Sequence, residues 1–215
     1  MRLDVPLVNQ VKDSRDCGIA GLCMILRYYG IKTSVQNLKK EIEVDKFGTY
    51  APQLGSYLIN KGLDVEIINL NPRLFTRKDI GIRAPQLKKH FIIMLSKCKT
   101  GRDKKVMKYF IKFLNDGGKV TPKIPDIHDL LPEIESGRPI VALLTTNFLL
   151  GSKPILNSHF NVITGIDDGK IYVNDSLPDK RGGRQLYSFS DFFFGLYASS
   201  NGDFDNGSII KIKKK

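Results

Sequence analysis

Long apolar runs are missing from this 215-residue sequence: none approaches the roughly 18 residues that would suggest a membrane-spanning helix. The N-terminus, MRLDVPLVNQ, holds no continuous apolar core of signal-peptide length, so a cytoplasmic location is expected. Cysteine is scarce too. Cys17, Cys23 and Cys98 are too few for a disulfide framework, and neither a C-x-x-C pair nor a metal-ligand spacing occurs. Were residues 17 to 29 helical, Cys17 and Cys23 would lie about 9 Å apart along the axis, too far to bridge. Cys23 and Cys98 read as packing residues. There is no phosphate-cradling glycine loop and no pair of metal-binding carboxylates, so neither cofactor nor metal is expected.

Acidic residues run short in one place. Between Pro72 and Lys123 there are 15 Lys and Arg against 3 Asp and Glu, which accounts for the whole net charge of +12 and leaves the rest neutral overall. A basic block on a neutral body suits an acidic protein partner, anionic lipid or nucleic acid. Nucleic acid is not favoured, because no aromatic-interleaved RNA motif or zinc-finger spacing accompanies the charge. The bland reading is a solvated, lysine-rich helical face.

What is present suits one globular domain spanning 1–215, with 41% hydrophobic and 26% charged residues and no linker or repeat. Residues 17 to 29 read as a helix, with Leu22, Ile25, Leu26 and Tyr29 able to share a face and Gly30 as a C-terminal cap. Ser34 can cap SVQNLKKEI, and Pro52 fits the first turn of a helix ending at Gly62. LDVEIINL is the first strand. Two helices are expected in the basic block, near Pro85 and across DKKVMKYFIKFLN, although HFIIML would also serve as a buried strand. Asp126 can cap a short helix through Glu135. RPIVALLTT, HFNVITGID, KIYVND, RQLYSF and GSIIKIK then read as a mostly antiparallel meander. A helical front and a sheet-rich back make an α+β fold, its first helix packed on the sheet.

Cys17 falls at a helix N-terminus, where free backbone N–H groups and the macrodipole favour thiolate over thiol. Alone, that position is more often packing than chemistry. His159 begins an alternating strand, and Asp175 ends the next one. If DDGK joins the two as a hairpin, they become neighbours, and a carboxylate beside an imidazole equips it as base to a nucleophile. Asn174 is the competing orienter, one residue out of phase. His90, among lysines, and His128, in an exposed helix, lack such a setting. Gln10 could supply a carboxamide N–H that joins the Cys17 backbone N–H in an oxyanion hole.

NQVKDSRDCGIAGLCMILRYYG followed by HFNVITGIDDGKIYVNDS resembles the papain-like cysteine peptidases that include the double-glycine leader peptidase domains of bacteriocin exporters and their standalone relatives. The closing YSFSDFFFG looks like that family's late helix. The resemblance implies a papain-like fold and a hydrolase acting on a peptide or protein substrate. It implies Cys17 as nucleophile, His159 as base then acid, Asp175 as orienter and Gln10 as oxyanion donor, with a thioester intermediate. A thiol acyltransferase on the same scaffold is the alternative, and so is a non-catalytic module binding a peptide or acidic partner. A nucleotide cyclase on this scaffold has no supporting motif. The basic region at about 72–123 is longer than the family's usual middle segment.

Overall fold

The computed structural model describes residues 1–151, 153 and 157–215. Helix α1, Cys17–Tyr28, is buried continuously from Gly18 to Leu26, as befits a helix packed centrally rather than on the surface. It stops at Gly30, whose φ of +86° lets Ile31 N–H reach the Leu26 carbonyl and Gly30 N–H the Arg27 carbonyl. The Tyr28 and Tyr29 hydroxyls then donate to the carbonyls of Gly137 and Ile212, at 2.7 and 2.6 Å, and pin the far end of the helix. Ser34 caps α2, Val35–Glu41, by accepting the Asn37 N–H. Pro52 opens α3, Ala51–Asn60.

Strand β1, Leu63–Asn69, buries Leu63, Val65 and Ile67. After a 3-10 turn at Arg77–Asp79, α4, Ala84–Lys97, and α5, Gly101–Asn115, pack through Phe91 and Phe110, their ring centroids 4.9 Å apart. HFIIML is therefore helical. Leu87, Phe91 and Leu95 recur every fourth residue on the packed face, and Ile92 and Ile93 are left in solvent. Next come β2, Lys119–Pro122, α6, Ile127–Glu135, capped by Asp126, and β3, Ile140–Thr145. The chain continues through α7, Thr146–Leu149, β4, Ser158–Asp167, β5, Lys170–Asp175, and β6, Gly183–Ser188. It closes with α8, Phe189–Ser199, and β7, Ile209–Lys214.

Among the described residues these strands form one seven-stranded sheet in the order β2-β1-β7-β3-β4-β5-β6, antiparallel except for the β1 and β2 pair. The fold is α+β, with α1 packed on β4 and α3 on β1. Two features differ from the expectation. The meander ends at β6, and β7 returns to lie between β1 and β3, with Ile210 opposite Ile67 on one side and Val141 on the other. Strand β2 was not expected: it is four residues long and ends in proline, which an edge strand tolerates. Among the described residues no helix is long and apolar enough to cross a membrane.

Candidate active site

Asp168 and Gly169, with φ of +43° and +71°, make the two-residue turn whose twist suits a hairpin, and β5 returns antiparallel along β4. A register shift between Ile163 and Gly165 sets Asp175 opposite Asn161, where the register of the turn would have put it opposite Val162. Residues two apart on a strand share a face, so His159 reaches Asp175 diagonally. Its Nε2 lies 2.9 Å from Asp175 Oδ1, and both side chains are buried. Asp175 Oδ1 also accepts the Leu177 N–H at 2.8 Å, while Oδ2 is buried without a partner. Asn174 is turned elsewhere: its Nδ2 donates to the Val5 carbonyl at 3.0 Å.

Helix α1 lays its first turn against β4. Cys17 is the first residue of that turn, where backbone N–H groups have no partner inside the helix. His159 and the backbone N–H groups of Phe160 and Gly18 are the groups that favour negative charge on its sulfur. With Nε2 committed to Asp175, Nδ1 is the imidazole nitrogen left for the sulfur. Burial by itself would raise the thiol pKa, but the His159 charge and these N–H groups outweigh it and hold Cys17 below the ordinary 9.0. Burial likewise opposes the charge on His159, yet the sulfur's negative charge and the Asp175 carboxylate raise its pKa above 6.5. The two groups favour a thiolate and an imidazolium. Gly18 is required by packing, since a Cβ there would sit 2.1 Å from Thr49 Oγ1.

Gln10 is held from the segment just after Asp175. Its backbone N–H donates to the Ser176 carbonyl at 2.8 Å, and the Ser176 hydroxyl donates to Gln10 Oε1 at 3.1 Å. The Ser14 carbonyl, which can only accept, fixes the other end of the carboxamide as nitrogen. One Nε2 proton goes to the Ser14 carbonyl at 3.0 Å. The other is free for the cavity of about 720 Å³ that Gln10, Cys17 and His159 line together. His90 and His128 lie apart from it. His90 Nε2 is 2.8 Å from the Leu74 carbonyl, its ring stacked on Phe75, and His128 is exposed. Among the described residues no group of three His, Cys, Asp or Glu is placed to hold a metal.

Two family models match, the Peptidase C39 family over residues 4–107 and the Peptidase_C39 like family over residues 103–200. Between them the two C39-type models match residues 4–200. Three solved structures share the fold of this chain at identities too low to carry more than fold. One is a double glycine motif protease from an AMS/PCAT transporter in complex with the leader peptide: TM-score 0.51, 17% identity, 100% of this chain and 94% of that one. Another is the peptidase domain of Streptococcus ComA, a bi-functional ABC transporter involved in a quorum sensing pathway: TM-score 0.53, 16% identity, 98% and 99%. The third is a C39-like peptidase from Bacillus anthracis, with TM-score 0.58, 14% identity and coverage of 100% and 98%. No curated protein matches the sequence.

The cavity has further walls that sequence reasoning missed. Arg102 pairs with Asp203 and lies 3.8 Å over the Phe47 ring. Asp205, 1% exposed, accepts the Ala51 N–H at 2.7 Å through one oxygen, and its other oxygen has no partner. Burial pushes this carboxyl up to about 7. Nothing marks these residues in advance, because Phe47, Arg102 and Asp205 come from three separate loops and helix ends with no common motif.

Proposed function

We propose that the protein is a cysteine peptidase in which Cys17 attacks a peptide carbonyl. The observation that carries this reading is the array of half-buried Cys17 with buried His159 and Asp175, the imidazole held at 2.9 Å by the carboxylate and the thiol pKa lowered by the imidazole. The Cys17 sulfur forms a bond to the carbonyl carbon, and the oxygen takes the negative charge between the Cys17 N–H and Gln10 Nε2. As the adduct collapses, the C–N bond breaks and the His159 proton passes to the departing amine, leaving a thioester. His159, now neutral, takes a proton from water as the water attacks the thioester, and thiolate and imidazolium are restored. The Asp175 carboxylate orients the ring throughout and stays ionised.

An open cavity of about 720 Å³ beside the sulfur and the leader-peptide complex of one structural neighbour support a peptide as substrate. The test is alkylation of each cysteine by iodoacetamide across pH, read by mass spectrometry, together with turnover of a peptide mixture by wild type and Cys17→Ala. Cys17 should react fastest, and its advantage should be largest near pH 6, where an ordinary thiol is almost wholly protonated. Cys17→Ala should lose all turnover while keeping its fold. A folded Cys17→Ala protein that still cleaves peptides would falsify the proposal.

A further inference from the structure

The structure sorts the basic block into two sets. Of its 15 Lys and Arg, six hold carboxylates: Arg73, Arg102, Lys105, Lys112, Lys119 and Lys123. Most of these pairs reach out of the block, as Arg102 to Asp203 and Lys105 to Glu43, and fasten it to the body. The other nine run from Arg77 to Lys108, every one exposed and none ion-paired among the described residues. The unpaired set covers the 3-10 turn and α4 and reaches Lys104 and Lys108 on α5, between residues of that helix that are paired.

Among those cations stand apolar side chains in water. On the side of α4 turned away from Leu87 and Phe91, Ile92 is 51% and Ile93 43% exposed, flanked by Lys88, Lys89 and Lys97, and Ile80 in the preceding loop is 49% exposed. A face that served only solubility would not need adjacent isoleucines at its crest. Nucleic acid would meet the lysines and leave the isoleucines uncovered, and an acidic polypeptide would need apolar side chains spaced to match them. An anionic bilayer satisfies both, because isoleucine enters the acyl boundary while lysine stems extend to the headgroups. We propose that the outer face of α4 docks peripherally on an anionic membrane surface. This does not depend on the catalytic reading.

The experiment is co-sedimentation of the whole protein with vesicles of phosphatidylcholine alone and of phosphatidylcholine mixed with phosphatidylglycerol. Binding should require phosphatidylglycerol and weaken as salt rises. Lys88→Glu with Lys89→Glu should cost at least about tenfold in partitioning, since each cation near such a surface contributes about fivefold. Ile92→Ser with Ile93→Ser should cost about tenfold as well. All four sites are exposed, and an unchanged Cys17 alkylation profile confirms that each variant is folded. Absence of vesicle binding overturns the proposal. So does binding indifferent to the isoleucine substitutions, and so does capture of an RNA or DNA oligonucleotide more tightly than anionic vesicles.

Discussion

Cys17 and Cys23 lie six residues apart on one helix, yet their thiols are pushed in opposite directions. Cys23 is wholly buried, and burial raises its pKa against a weaker opposing pull from the Arg27 charge. Burial acts on Cys17 as well and is the largest single influence there. What reverses the outcome is a strand from the other half of the chain, which brings His159 and the Phe160 N–H to the sulfur. The lowered thiol pKa is thus conferred across the fold, and the helix contributes position.

The contrast should collapse most completely in His159→Ala. The substitution removes the cation and leaves the burial, so the Cys17 pKa should rise and Cys17 should come to resemble Cys23. Iodoacetamide alkylation of Cys17 near pH 6 should fall at least about a hundredfold. If Cys17 kept its lead over Cys23 in that variant, the helix N-terminus and not the imidazole would be the source.

Gln10→Ala sharpens the contrast by separating thiolate formation from stabilisation of the tetrahedral adduct. Turnover of a peptide substrate should drop by about a hundredfold in kcat with little change in KM, while the alkylation rate of Cys17 stays at the wild-type value. A parallel fall in alkylation would mean that Gln10 acts on the sulfur and not on the oxyanion.

The smallest effect concerns Asp205, a buried ionisable group in which, as in Cys23, burial outweighs the pull of a nearby cation, here Arg102. Its carboxyl is raised from 3.8 to about 7, so the folded protein holds this proton more tightly than the unfolded chain. That contribution favours folding below about pH 4 and is lost as pH climbs through 7. Asp205→Asn keeps an acceptor for the Ala51 N–H without the charge. Its Tm should exceed that of wild type by a few degrees near pH 8, and the gap should close toward pH 4. Calorimetry at the two pH values decides it.

Much of this was legible in local sequence. Gly30, Ser34, Pro52 and Asp126 mark helix boundaries because each acts on the backbone beside it. The nearness of His159 and Asp175 followed from a turn short enough to dictate antiparallel return, but not the diagonal reach, which comes from the shift between Ile163 and Gly165. Strand β2 was invisible because its pairing partner is distant β1. The helical state of HFIIML was settled by packing on α5, a contact that a window of sequence does not contain. Cys17, His159, Asp175 and Gln10, which line or back one cavity, could be picked out together because the roles proposed for them, nucleophile, base, orienter and donor, fall to few residue types. Asp205 and Thr49 could not, since their burial depends on which loops meet.

The placement of β7 has a bearing on synthesis. Tyr50, which precedes α3, lines the cavity on the side that rests with α3 on β1, the wall around His159 is β4 beside β3, and β7 is the splice between β1 and β3. A ribosome must therefore make residues 209–214 before the two half-sheets are joined. Until then the nascent chain carries its cysteine without a finished cleft, and the bare edges of β1 and β3 are what a chaperone would have to shield.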